Sequence, residues 1–155
     1  MPQQLPYSSW CYVCGKDNPK GLRVKFNWDG ERVWASFCPE ESFQGYIGVT
    51  HGGVLSTLLD ECMGWAPILE TKRMCKTAEL RLRFHNTVAP GQTVIVSGWI
   101  TRISKRLYET QGEVRDENDI LYVSAMGKYV PMTEKETQQV DSFLIYDKDT
   151  IRVFE

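Results

Sequence analysis

Apolar residues recur at helical spacing in one long stretch of this chain and at alternating spacing in several shorter ones. From residue 54 to 69, Val54, Leu55, Leu58, Leu59, Cys62, Trp65, Ala66 and Leu69 share one broad arc of a wheel turned about 100° per residue. The opposite arc holds Ser56, Thr57, Asp60, Glu61 and Gly64. Asp60 lies near the middle of that arc, with Ser56 and Gly64 one turn to either side, so small neighbours leave room for a close approach to the carboxylate. The helix is expected to start near Gly52 or Gly53. At Trp65-Ala66-Pro67 it either ends or kinks and runs on to Glu70, because proline disfavours a helical residue before it. Just upstream, Gly45, Gly48, Gly52 and Gly53 make a loop of the segment that begins at Phe43.

The alternating stretches read as strands. Leu22, Val24, Phe26 and Trp28 alternate with Arg23, Lys25 and Asn27, and Asp29-Gly30 then signals a hairpin into Val33, Ala35 and Phe37, closed by Pro39. After the helix, residues 77–84 place Ala78, Leu80, Leu82 and Phe84 on one face and Thr77, Glu79, Arg81 and Arg83 on the other. Ala89-Pro90-Gly91-Gln92 is a turn. Val94, Val96, Gly98 and Ile100 form a long strand with Trp99 on its reverse. Residues 107–114 follow a break at Ser104-Lys105-Arg106, and residues 120–130 follow the polar turn 116–119. Residues 133–139 read as a helix and those from Phe143 as an extended tail. One helix among antiparallel strands is an α+β arrangement, and a helix apolar over more than half its circumference needs a sheet wrapped around it. The division expected is an N-terminal arm at 1–20, pinned by Tyr7, Trp10 and Tyr12, a main domain at 21–132 and a C-terminal tail at 133–155.

With 155 residues, 42% hydrophobic and 25% charged, the chain has the size and balance of one soluble domain. A net charge of −2 gives no reason to expect nucleic acid. No apolar run approaches the roughly 20 residues of a membrane span, and Met-Pro-Gln-Gln-Leu-Pro lacks the pattern of a secretory signal, so a cytoplasmic location is expected. The five cysteines suit a reducing compartment. Cys11 and Cys14 have metal-ligand spacing, but Cys38, Cys62 and Cys75 supply no second pair, so no metal and no cofactor are expected. The two sulfurs are read as packing against the sheet.

The phrase Phe43-Gln44-Gly45, Gly48, His51-Gly52-Gly53, then Asp60-Glu61 resembles the hotdog-fold acyl-CoA thioesterases of the phenylacetate-degradation type. The N-terminal Cys11-Tyr12-Val13-Cys14-Gly15 with Asn18-Pro19-Lys20-Gly21-Leu22 is similar to one subset of them. The resemblance covers roughly residues 11 to 130. It implies a hotdog fold, one long central helix wrapped by an antiparallel sheet of five to six strands. It also implies a homodimer, with a homotetramer left open, paired sheet edge to sheet edge so that the polar arc of the helix faces the partner. The implied substrate is an acyl-CoA.

Thioester hydrolysis needs a base or nucleophile, donors for the carbonyl oxygen as charge grows on it, and a slot for the acyl group. Asp60 is the candidate base or nucleophile. Gly52 and Gly53 stand where helix N–H groups lack an intrahelical partner and the helix dipole is positive, so they can bind an oxyanion. The resemblance makes Gly52 the first choice. His51 would orient the loop, and Gln44 is similar to an amide that places water in relatives. Thr77 matches a Ser/Thr that in relatives reaches the site from the neighbouring subunit; it is equally a strand-start threonine. Glu61 lies nearer the apolar edge and is read as a salt-bridge former. Gly45, Trp65, Met63 and Met74 are candidates for the acyl slot. Arg81, Arg83, Lys105 and Arg106 could meet the phosphates of CoA. Two other functions compete. A non-catalytic acyl-CoA binder could use the same slot. A hydroxyacyl-thioester dehydratase would need a His-Phe-Pro loop or an Asp-x4-His order, and neither is present.

Overall fold

The computed structural model describes residues 1–155. Its long helix, α1, runs from Gly52 to Thr71 and takes the longer of the two expected courses, carrying Pro67 inside it. Proline forfeits one ladder bond at a cost of about 3 kcal/mol. Burial of Trp65, Ile68 and Leu69 around it offsets that loss. Lys72 ends the helix in the left-handed conformation, its N–H donating to Ile68 O.

Strands β1 (Gln3–Gln4), β2 (Tyr7–Ser8), β3 (Asn27–Trp28) and β4 (Val33–Phe37) precede the helix. Strands β5 (Cys75–Phe84), β6 (Val94–Ile103), β7 (Tyr108–Arg115) and β8 (Leu121–Pro131) follow it, then α2 (Glu134–Asp141) and β9 (Leu144–Ile145). The main sheet is antiparallel in the order β1-β3-β4-β6-β7-β8-β5, which makes seven strands rather than five to six. The difference is β1 and β3, of two residues each. The sheet wraps α1 as a hotdog fold does. The helix meets the sheet backbone directly at β6 and β7: a Cβ on Gly98 would lie 2.9 Å from Met63 Cα, and one on Gly112 would lie 2.8 Å from Met63 Cγ.

Two expectations fail in instructive ways. Leu22, Val24 and Phe26 are buried as their alternation requires, yet only Asn27–Trp28 joins the ladder. The preceding backbone is bonded to the N-terminal arm instead, through Leu22 N–H to Tyr12 O at 2.8 Å and Val24 N–H to Val13 O at 2.9 Å. Of the arm's aromatics only Tyr7 packs against the core, since Trp10 is 69% and Tyr12 48% exposed. Leu5, Val13 and Cys14 anchor it in the core. β2 then pairs with β9, so the arm and the C-terminal segment close over the chain together.

The second failure concerns β5. Its pairing with β8 shifts between Thr77 and Glu79, leaving Ala78 as a bulge. One extra residue reverses the phase of everything before it. Thr77 therefore turns inward toward α1, away from the outer face shared by Arg81 and Arg83. No helix is long and apolar enough to cross a membrane.

Candidate active site

The loop before α1 and the first turn of the helix form one unit. His51 is the N-cap, and its Nδ1 accepts the Gly53 N–H at 2.8 Å. That bond requires a bare Cα at 53, where a Cβ would lie 2.9 Å from Nδ1. It also fixes the tautomer, since an accepting Nδ1 leaves the proton on Nε2. Val54 N–H goes to His51 O. The Gly52 N–H makes no hydrogen bond within the chain. Of the two glycines, one donor is thus consumed by the cap and the other is free at the positive end of a 20-residue helix. Gln44 does not reach toward this point. Its Oε1 accepts the Gly48 N–H at 3.1 Å, which ties the loop to itself. Gly45 packs against His51, with 3.2 Å available from a built Cβ to Cδ2.

Asp60 lies two turns further along α1 and is partly exposed. The Thr77 hydroxyl donates to Asp60 Oδ1 of the same chain at 2.7 Å. The bulge at Ala78 is what delivers it. Tyr129, on β8 directly opposite Thr77, places its hydroxyl 2.8 Å from Asp60 O and 3.3 Å from Oδ1. Burial and the nearby Asp60 charge push the Tyr129 hydroxyl pKa up, which keeps it a donor. Asp60 Oδ2 is left without a partner in the chain. Beside Gly64 the Tyr129 ring comes to 3.2 Å from where a Cβ would stand, and both residues line the cavity that Asp60 also reaches. Sequence reasoning alone misses Tyr129. Its only signal is its place opposite Thr77, and that requires the β5–β8 register.

Glu61, the next residue, faces another way. No cation pairs with it, contrary to the expected salt bridge. Its Oε2 lies 3.2 Å from Cys11 Sγ. Burial pushes the Glu61 carboxyl up to about 8. The Cys11 thiol is lowered to about 5, first by its hydrogen bond with the Cys14 thiol and further by the N–H groups of Cys14 and Val13. The N-terminal arm therefore meets this part of the polar arc. Asp60, Glu61 and Cys11 open onto a cavity of about 270 Å³, walled by Trp65, Ile68, Met74 and Leu144.

The remaining candidates separate. Trp65 lines that cavity, whereas Met63 is fully buried against β6 and β7 and belongs to the core. Arg81 and Arg83 lie on the outer face of the sheet, in a groove shared with Trp99, Gln111 and Met126. Arg81 is 3.9 Å from Glu79. Lys105 and Arg106 are exposed at the tip of the β6–β7 hairpin. Because Tyr108 pairs with Tyr129, that tip lies toward the Asp60 end of the sheet.

A family model described as the thioesterase superfamily matches residues 47–123, which take in the helix cap, Asp60, strands β5 to β7 and the start of β8. The chain belongs to the thioesterase superfamily. It is 25% identical over 111 residues to acyl-coenzyme A thioesterase THEM4 of Xenopus laevis, a match that covers 69% of this chain and 48% of that protein. The chain thus spans about half the length of the curated relative it matches. Among solved structures it resembles protein RHA08564, a thioesterase superfamily protein, with a TM-score of 0.72 at 24% identity over 79% of this chain and 60% of that one. It also resembles smu.793 of Streptococcus mutans, solved bound to acetyl CoA, with a TM-score of 0.62 at 17% identity over 66% of this chain and 82% of that one. At these identities the structural likeness establishes the fold.

Proposed function

We propose that this superfamily member hydrolyses acyl-CoA thioesters as a homodimer, with Gly52 of one protomer and Asp60 of the other meeting at each site. The observation that carries this reading is the free Gly52 N–H at the start of α1, set against the hydroxyl-braced Asp60 on the same helix. Eight residues of α-helix separate them by about 12 Å along the axis. Reacting groups must stand about 3 Å from the carbon they attack. One chain therefore cannot apply both groups to one carbonyl, and a second copy brings them together. β5 offers the means: it is a ten-residue edge strand paired only with β8, so its outer backbone edge is open to a copy of itself.

In this reading the thioester oxygen takes the Gly52 N–H as charge develops, helped by the helix dipole. Asp60, through its free Oδ2, takes a proton from water as the water adds to the carbonyl carbon, or itself attacks that carbon first. Collapse of the tetrahedral adduct expels CoA as the thiolate, which then takes up a proton; the base route leaves the free acid at once, and the nucleophile route leaves an acyl anhydride on Asp60 that water then hydrolyses to the free acid and the restored carboxylate. Thr77 and Tyr129 hold the carboxylate in place. The relatives' names, an acyl-coenzyme A thioesterase and a protein bound to acetyl CoA, support CoA as the carrier.

The test is hydrolysis of a panel of short, long and aromatic acyl-CoAs, followed by release of free thiol. Turnover of at least one, abolished by Asp60→Asn, is the expected result. Tight binding of acyl-CoA with no hydrolysis of any would replace this reading with that of an acyl-CoA-binding protein.

A further inference from the structure

We propose that Cys11, Cys14 and Glu61 bind a thiophilic divalent cation of the zinc class, which fastens the N-terminal arm to α1. The three potential ligand atoms lie within 4.8 Å of one another. Cys11 Sγ and Glu61 Oε2 are already 3.2 Å apart. With ordinary zinc–thiolate and zinc–carboxylate bonds, a tetrahedral ion holds its ligand atoms about 3.5–3.8 Å from each other, so small side-chain movements close the site.

The turn is built for a thiolate. The N–H groups of Val13 and Cys14 both donate to Cys11 Sγ, at 3.4 and 3.5 Å. Donors aimed at sulfur stabilise its ionised form, which is the form that ligates. Gly15 completes the turn where no side chain fits: a Cβ there would lie 2.5 Å from the carbonyl oxygens of Cys11 and Ser9.

Glu61 supplies an independent observation. Its carboxyl is buried although the residue as a whole keeps some exposure. It points at the two sulfurs, and no lysine, arginine or histidine pairs with it. A buried carboxylate is costly without an opposite charge. A divalent cation supplies that charge and engages all three groups. A Cys11–Cys14 disulfide would engage two and strand the third. Whatever protons the three groups hold leave to solvent on binding, and two thiolates with one carboxylate around a dication leave one net negative charge. The adjoining cavity gives water access to a fourth position.

The site needs no thioester chemistry to exist, so its readout is the metal itself. The full chain, reduced and prepared without chelator, should carry about one zinc per chain by elemental analysis. Cobalt(II) added to the stripped, reduced chain should give a thiolate-to-cobalt charge-transfer band and the d–d bands of a tetrahedral centre. Glu61→Gln and Cys11→Ser should each weaken zinc binding by at least about tenfold, since even outer-shell losses reach that scale. Wild-type protein that takes up no stoichiometric zinc and gives no charge-transfer band overturns the proposal without any variant. Unchanged zinc affinity in a folded Glu61→Gln protein overturns it too. So does a Cys11–Cys14 disulfide that forms as fast with excess zinc as without it.

Discussion

The first turn of α1 and the turn carrying Asp60 solve the same problem, presenting a polar group on a mostly apolar helix, in opposite ways. At the first turn the group is backbone. The Gly52 N–H is free because helix geometry leaves it so, and His51 consumes the competing donor of Gly53. Nothing but the cap and a bare Cα is required. At the later turn the group is a side chain, and neighbours from two strands fix it: Thr77 from β5 and Tyr129 from β8. Helix geometry does nothing to orient that carboxylate. A backbone donor is therefore robust to every substitution except those that add bulk at its own Cα. A side-chain carboxylate depends on register, on the bulge and on two distant residues. In the proposed reaction the first turn stabilises charge and the later turn moves a proton, and about 12 Å of helix keeps them apart within one chain.

The largest effect should come from the later turn. Asp60→Asn preserves shape and can still accept from Thr77 and Tyr129, but an amide neither takes a proton from water nor attacks a thioester effectively. Turnover should fall by roughly two to four orders of magnitude, the scale of a lost general base, while a non-hydrolysable acyl-CoA analogue still binds. Near wild-type turnover in this variant would mean that the carboxylate is not the reacting group.

Gly52→Val tests the first turn. The Cβ comes within 3.3 Å of the Phe84 ring, which is half exposed and able to yield, so the helix should still form. Its bulk lies where the thioester oxygen must approach, and turnover should drop by about a hundredfold or more, the loss expected for an oxyanion donor. Circular dichroism and melting must show a folded protein for the result to count. A folded variant with normal turnover removes Gly52 from the mechanism.

Mixing the two variants addresses the separation itself. Each homodimer is nearly inactive. A heterodimer made by co-expressing Gly52→Val with Asp60→Asn contains one site with both defects and one with neither. Half the dimers being mixed, roughly a quarter of wild-type activity should return, as two-fold symmetry requires. If both groups of a site came from one chain, no activity would return. Sedimentation as a stable monomer at micromolar concentration would exclude the shared site altogether.

Much of this arrangement is legible in the amino-acid sequence. The helix, its start at Gly52, the hairpin at Asp29-Gly30 and four of the long strands follow from periodicity and turn residues, because those signals are local. The cap at His51-Gly52-Gly53 is legible because its geometry spans three adjacent residues. What stays hidden depends on pairing. Strict alternation puts Thr77 on the outer face, and only the register with β8 reveals the bulge that turns it in. Tyr129 carries no mark in the sequence. Met63 reads as a pocket residue, since a helix wheel cannot show that Gly98 and Gly112 let the sheet close directly onto it. Cysteine spacing cannot reveal the companion of Cys11 and Cys14, because the group facing them is a carboxylate from another element.

The smallest expected effect falls on Thr77, and it tests whether the later turn really depends on its neighbours. Thr77→Val keeps the branched shape on the bulge and removes only the hydroxyl that donates to Asp60 Oδ1 at 2.7 Å. Tyr129 still reaches the same oxygen from 3.3 Å, so the carboxylate keeps one donor and is not released. A hydrogen bond to a charged group contributes about 1.5–3 kcal/mol, and the remaining donor should compensate part of it. A roughly tenfold fall in kcat is expected, equivalent to about 1.4 kcal/mol. KM should stay within about twofold, because Thr77 acts on Asp60 and not on substrate in this reading. Thr77→Ser restores the hydroxyl and should recover most of the rate. If Thr77→Val changes KM and leaves kcat alone, Thr77 belongs to the acyl slot. If neither parameter moves, Tyr129 alone positions the carboxylate, and the bulge that turns Thr77 inward serves packing instead.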